Sequence, residues 1–454
     1  MAIIAAAPTV SNPYLLGNYA PVPDEITVAD LQVSGRIPQA LNGRYLRTGP
    51  NPLGAPPEPY HWFSGAGMVH GIELGDGRAS SYRNRWVGTS AITDELGRSA
   101  IPGPAQPMYD ASNTNILAFA GKILSITEGC YPYELSTELH TLQRFNFGGV
   151  LPHGMTAHPK LDPLTGELHA FSYWFDSPCL IYHVVDAAGQ LVKTIPIELP
   201  RSVSMHDFAI TRTHVLFFDQ PYVFDLDIAM RSGFPFRWAP DFGARVGVLP
   251  RTATSGDEIQ WIETDPCYCF HPMNAYDVNR STIVAHIPRI DNLWGTAAPE
   301  PDRTTLERWT IDLAAGRVTQ DLLDDEDQEF CRINESLIGS QHQFGYTMST
   351  SGGVYGGTRL FKHNFSDATA SASRTVREFG PAQHPGEFVF VADPDRSSSE
   401  DGGWMMGLVY DEAVDGSELV IFDAEEFVAP PLAAVTMPRR VPFGFHGNWV
   451  PNPA

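Results

Sequence analysis

An all-β chain built by radial repetition of small antiparallel sheets, a β-propeller, is the fold class this sequence predicts, on three observations. Its 454 residues carry 40 glycines and 38 prolines along the whole length, which interrupts long helices and favours short strands joined by turns. One local phrase recurs: a strand end, an Asp/Gly turn and a fresh apolar or alternating strand. No clean linker divides the run, so the repeats read as blades around one axis and not as separate domains. Residues 1–454 are expected to form one propeller domain.

Taken in order, the phrase appears as ELGDGRAS (73–80), LDPLTGELHA (161–170), VVDAAGQLVK (184–193), IDLAAGRVTQ (311–320) and AVDGSELVIF (413–422). Each is hairpin grammar, with turn residues between two strand-like runs. The segment FDLDIAMRSGFPFRW (224–238) interrupts the pattern. There Leu226, Ile228, Ala229 and Met230 predict a short helix ended by Gly233. The stretch PCYCFHPMNAYD (266–277) predicts a strand, in which side chains two apart share a face at a separation of about 6.5–7 Å. Ligands with bonds of about 2.0–2.3 Å to one ion cannot be that far apart, so Cys267, Cys269 and His271 do not close around a metal by themselves. The cysteines are expected to be packing groups, and His271 needs distant partners if it binds anything. The acidic DLLDDEDQEF (321–330) is expected to be a solvated turn, apart from Glu329.

Bulk composition narrows the function. With 30 Lys and Arg against 53 Asp and Glu, the formal charge is −23, which argues against nucleic acid as a partner because phosphate contact needs a basic face. Five cysteines in so long a chain do not make a disulfide framework, and a reducing compartment follows. The opening MAIIAAAPTV has no basic region ahead of its apolar stretch, and no run reaches the ~18 apolar residues of a membrane span. The expectation is a soluble, cytoplasmic protein with weak peripheral membrane contact at most and no obligate protein partner.

Four of the fifteen histidines share a setting: His158 in MTAHPKLDP, His206 in SMHDFAIT, His271 in CYCFHPMN and His446 in FGFHGNWV. Each follows an apolar or small stretch and stands at a loop mouth marked by Pro, Asp or Gly. Radial repetition can bring such distant positions to one axis. A single buried histidine is more often a hydrogen-bonded core residue than a ligand, and the pattern by itself leaves both readings open.

The flanking phrases add a resemblance. LNGRYLRTGPNP (41–52), YHWFSGAGMVHGIEL (60–74), TAHPKLDPLTGELHAFSY (156–173), SMHDFAIT (204–211), FHPMNAYD (270–277), GEFVFVADP (386–394) and VPFGFHGNWVP (441–451) make the chain similar to the carotenoid cleavage oxygenase family along nearly its whole length. The resemblance implies a seven-bladed propeller with a helical or loop cap over an axial non-haem Fe(2+). The family's four histidine ligands match His158, His206, His271 and His446. Its supporting glutamates, which accept a hydrogen bond from the far nitrogen of ligand histidines, match Glu128, Glu329 and Glu387. Relatives usually carry proline where this chain has Cys331. His61 and His363 match no ligand position and are expected to be structural.

That resemblance implies O2-dependent cleavage of a conjugated double bond. Imidazole suits Fe(II), and four neutral ligands leave its charge to be balanced further out. Relatives that cleave lignin-type stilbenes have a lysine just before the first glutamate, where this chain has Thr127. A carotenoid or apocarotenoid is therefore the expected substrate, with a stilbene or phenylpropanoid as the alternative. Some relatives isomerise retinyl esters on the same four histidines, and a non-enzymatic propeller scaffold is a further alternative. No G-x-S-x-G phrase points to an acyl hydrolase. The aromatic crowd in PYVFDLDIAMRSGFPFRW (221–238), above all Phe234 and Phe236, is the expected membrane-facing mouth for an apolar substrate.

Overall fold

The computed structural model describes residues 12–452, except 57–59, 107–108, 150, 174–179, 229–234, 294–302, 352, 354 and 367–372. Seven antiparallel sheets of four or five strands stand around one axis, with an additional two-stranded sheet. In chain order the first five blades span residues 115–144, 160–197, 208–264, 274–324 and 328–378. The sixth takes residues 383–436 and adds Val33–Gly35 as its outermost strand. The seventh joins strands 27–29 and 43–86 to Gly447–Pro451, so that one sheet pairs the beginning of the fold with its end.

All five predicted hairpins are present. The first shows why its sequence turns there. Asp76 and Gly77 have φ of 51° and 69°, two successive left-handed residues whose twist matches the flanking strands. A hairpin the sequence reading passed over, Asn115–Phe119 with Lys122–Ile126, turns the same way through Ala120 and Gly121 at φ 47° and 76°.

Each blade is apolar on both faces, and each meeting of neighbours has its own core. Ile72, Tyr82, Met406 and Ile421 join the seventh blade to the sixth. Phe171, Tyr182, Phe208 and Phe217 join the second to the third. Cys267 and Cys269 are buried with Trp309 and Ile311 between the third and fourth, the packing role expected of them.

Two local expectations are corrected, and the helix expected within 224–238 is met as far as the described residues reach. Residues 266–273 do not form a strand: the chain bends at Pro266 and Phe270, Tyr268 bridges Ile290 and Met273 bonds His286, and the strand starts only at Asn274. Pro266 and Pro272 lack the N–H that a ladder would need. Around the expected helix at 224–238, the two-stranded sheet Tyr222–Phe224/Phe236–Trp238 is the dominant feature. Residues 226–228 between its strands are helical, with Leu226 63% exposed, and Gly233 lies outside the described residues. The acidic run is not simply solvated. Arg374 binds buried Asp324 through both oxygens at 2.7 and 2.9 Å, and Arg359 binds Glu326 at 3.0 Å. The cap over the axis consists of loops and short 3-10 turns, among them Pro13–Leu15, Gly17–Tyr19 and Trp62–Ser64.

The two closures should differ in weight. Removing residues 447–454 deletes the strand that pairs with Gly43–Pro50, whereas removing residues 1–36 deletes two edge strands and part of the aromatic cap. Circular-dichroism melts should show loss of the cooperative transition for the first truncation and a lowered but cooperative transition for the second. Equal behaviour would contradict this account of the closure.

Candidate metal centre

His158, His206, His271 and His446 each stand one to three residues before an edge strand of their blades, which starts at Lys160, Phe208, Asn274 and Gly447 respectively. They come from the second, third, fourth and seventh blades and meet on the axis. Their ligand atoms lie within 4.8 Å of one another, and Nε2 of His158 is 3.0 Å from Nε2 of His206. The remaining blades bring the carboxylates. Glu329 and Glu387 belong to the inner strands of the fifth and sixth, and Glu128 follows strand Lys122–Ile126 of the first. Every blade thus supplies one residue.

Backbone irregularity aims two of the glutamates. Strand Gln328–Arg332 slips its register between Glu329 and Arg332, where Phe330 and Cys331 oppose Thr347 alone. Phe330 has φ 56°, an uncommon conformation for a bulky residue and a mark of a constrained site. A second slip, between Pro385 and Phe388, surrounds Glu387. Cys331 packs with Met273, Leu306 and Ile333, and Glu329 beside the bulge reaches His271. Beside Glu128, Gly154 is pressed onto the backbone: a Cβ there would lie 2.1 Å from the carbonyl carbon of Gly129. Tyr109 donates to the Glu128 carbonyl and Tyr173 to its carboxylate.

Hydrogen bonding sets the imidazoles. Nδ1 of His206 lies 2.5 Å from Glu128 Oε2, Nδ1 of His271 lies 2.6 Å from Glu329 Oε2, and Nδ1 of His446 lies 2.9 Å from Glu387 Oε1. A carboxylate at Nδ1 holds the proton there and leaves Nε2 as a lone-pair donor. Nε2 of His271 is buried and has no hydrogen-bond partner, a costly state for a polar atom that a cation would relieve. Burial holds His158 well below its ordinary range, reinforced by the other three rings; burial also lowers His271 and His446. Burial opposes the proton on His206 too, but Glu128 outweighs it and raises that residue. Burial would raise Glu387, yet Arg332 and His446 bring it well below the carboxylate range. Three rings held towards the neutral form, with carboxylates behind the set, suit a divalent cation, whose binding would displace the proton that Glu128 favours on His206.

Sequence reasoning missed Arg332, which binds Glu387 in a two-pronged fork at 2.9 and 3.0 Å. No local signal marks it, because its acceptors at 387, 447 and 448 are remote in sequence. The structure also adds an apolar wall. Phe270 lies 5.4 Å from His206, and Phe330 lies 5.5 and 5.4 Å from His271 and His446. Thr127 is buried and bonded to Asn113, which in turn holds the carbonyls of Phe63 and Gly65. Phe236 packs on Tyr222 and Phe224 in a cluster that reaches Phe270; Phe234 lies outside the described residues. His61 accepts from Phe63 N–H, and buried His363 bonds Gln328, as structural residues. A second group with ligand-like spacing, Asp162, Glu167 and His169, already surrounds the guanidinium of Arg251.

A seven-bladed propeller carrying four histidines backed by glutamates on its axis defines a class of metal-dependent oxygenases. The family model described as retinal pigment epithelial membrane protein matches residues 19–451. The chain is 39% identical to a carotenoid cleavage oxygenase of Mycobacterium tuberculosis, covering 98% of this chain and 99% of that one. It is 31% identical to carotenoid 9,10(9',10')-cleavage dioxygenase 1 of Phaseolus vulgaris, covering 96% and 89%. Among solved structures, Pseudomonas brassicacearum lignostilbene dioxygenase superposes with a TM-score of 0.88 at 27% identity, covering 98% of this chain and 100% of that one. A variant of Synechocystis apocarotenoid oxygenase gives 0.85 at 25%, covering 96% and 98%. The chain belongs to the carotenoid cleavage oxygenase family and is an oxidoreductase of the oxidative-cleavage kind, which sets aside the scaffold alternative.

Glutamine at Glu128, Glu329 or Glu387 should lower metal retention or activity by about 10–100-fold. Glu387→Gln should also destabilise the fold, by about 3–5 kcal/mol, because it strands the Arg332 guanidinium without its counter-charge. Denaturant melts check this, and equal stability of the Glu128 and Glu387 variants would contradict it.

Proposed function

We propose that His158, His206, His271 and His446 hold Fe(II), and that the chain uses O2 to cleave a conjugated double bond of a carotenoid or apocarotenoid into two carbonyl products. The observation that carries this reading is the all-imidazole set turned to one point, with the carboxylates behind the rings and not among them. Such a donor set suits Fe(II) and leaves coordination positions open. Bound Fe(II) supplies the place where O2 is activated. The protein's part is orientation and exclusion: Glu128, Glu329 and Glu387 fix the ring planes, while Phe270 and Phe330 line the approach with apolar surface that a polyene matches and water does not.

Thr127 supports the polyene. Its hydroxyl is buried and engaged with Asn113, so it offers no hand to a phenol at the position where stilbene-cleaving relatives carry lysine. Similarity to the Pseudomonas brassicacearum enzyme keeps hydroxystilbenes as the second reading. Alanine at any of the four histidines should abolish iron retention and turnover. Full iron content in two or more single variants would overturn the iron site. Chromatography of products from carotenoids, apocarotenoids and hydroxystilbenes should show cleavage of the first two, and cleavage of stilbenes alone would overturn the substrate assignment.

The hairpin Tyr222–Phe224/Phe236–Trp238 is the proposed mouth for that substrate. No helix among the described residues is long and apolar enough to cross a membrane, and the charge of −23 disfavours anionic lipid, so contact would be shallow and reversible. Serine at Phe234 and Phe236 should reduce turnover of liposome-borne carotenoid much more than that of a short, detergent-solubilised apocarotenoid. Equal losses would place these residues in the folded core.

A further inference from the structure

Arg332 uses all of its donors on one task. Its Nε and one terminal nitrogen bind the two oxygens of Glu387 at 2.9 and 3.0 Å. That same terminal nitrogen donates to the Gly447 carbonyl at 2.6 Å, and the other donates to Asn448 Oδ1 at 3.0 Å and Glu335 at 2.9 Å. A guanidinium has five N–H groups, and five acceptors meet them here. Glu387 is equally complete. Beyond the fork, Oε1 accepts from His446 Nδ1 and Oε2 from Gly447 N–H, each at 2.9 Å.

The network continues around the axis. Asn448 donates to Asn115 Oδ1 at 3.1 Å and to the Ile116 carbonyl at 2.6 Å, and Asn115 donates to the carbonyl of Ala157 at 2.8 Å, beside His158. One belt therefore runs from the fifth blade through the sixth, seventh and first to the second, and touches two of the four histidine positions. The bulge at Phe330 and Cys331 makes this possible. In a regular strand residues 329 and 332 would face opposite sides, but the extra residue turns both to the axis.

Charge gives the belt a second role. Three glutamates stand behind the imidazoles, and among the described residues only Glu387 is paired with an arginine or lysine. Nearby Asp207 is cancelled by Lys160 at 2.8 Å. With Arg332, and leaving out Glu335, which is 57% exposed to solvent, the formal charge behind the rings is −2, which a divalent cation neutralises; without Arg332 it is −3.

We propose that Arg332 is a positioning residue for the metal. It locks the plane of Glu387 and hence the direction of His446 Nε2, ties the His446 and His158 segments together, and matches the site's charge to a divalent ion. This rests on the reading of the four histidines as a metal site.

The test uses Co(II) titrated into the metal-free full-length protein, with affinity and visible spectrum as readouts alongside thermal melts. Arg332→Gln should weaken Co(II) by about 10–100-fold and alter the spectrum of the folded protein. Arg332→Lys, which keeps the charge but not the fork, should recover part of the affinity and retain an altered spectrum. In an E387Q background R332Q should cost less affinity than in the wild type, since part of its effect runs through the Glu387 contact. Unchanged affinity and spectrum in folded R332Q, or an equal loss in both backgrounds, would overturn the proposal. Should R332Q not fold, a wild-type spectrum in R332K would overturn it. Absence of Co(II) binding by the wild-type protein would overturn the metal site itself, and the positioning role with it.

Discussion

Three carboxylates and four imidazoles converge at one point of the propeller axis, and each must be satisfied where it stands. A buried anion is costly unless it is paired and hydrogen-bonded, and a buried ring nitrogen facing three others has no partner unless a cation sits between them. The solution is layered. Glu128, Glu329 and Glu387 each hold the Nδ1 side of one ring. Tyrosines anchor Glu128 from outside, and a guanidinium anchors Glu387. Pairing outside the ring turns the Nε2 atoms of His206, His271 and His446 to the interior of the site.

Such convergence demands a closed ring. If one blade leaned outward by a few ångströms, its histidine or glutamate would leave the cluster, because each side chain is carried on or beside a strand of its own blade. The apolar clusters between neighbouring blades hold the tilt. Sheet pairing of Gly43–Pro50 with Gly447–Pro451 completes the seventh blade from the two ends of the fold. His446 is the residue immediately before that closing strand, so closure of the fold and completion of the site are one event. Arg332 binds across the same seam through Gly447 and Asn448.

Around the polar centre the chemistry changes abruptly. Phe270 and Phe330 lie against the histidine rings, with Trp62, Tyr355, Phe443 and Phe445 in the aromatic cluster behind Phe330. A site with imidazoles inside, carboxylates behind and aromatic rings beside it sets an apolar wall against a polar centre. That partition is the physical link between the fold and the proposed double-bond cleavage.

Much of this was legible in the sequence, because the information is local. Hairpins depend on turn residues a few positions apart, and all five phrases found their partners. The four histidines and three glutamates stood in phrases similar to the family's, and their numbers were readable before any coordinate. Tertiary structure alone decided how they meet. The strand expected at 266–273 dissolves because Pro266 and Pro272 cannot donate to a ladder, and its alternation gave way to a loop that delivers His271. Acidic residues 321–327 looked solvated until Arg359 and Arg374, remote in sequence, came to them. Arg332 carried no mark of its role, since its acceptors at 387, 447 and 448 are neighbours only after the ring closes. Short-range turn chemistry is written residue by residue, whereas the pairing of buried charge depends on which blades become adjacent, a property of the closed ring and of no single segment.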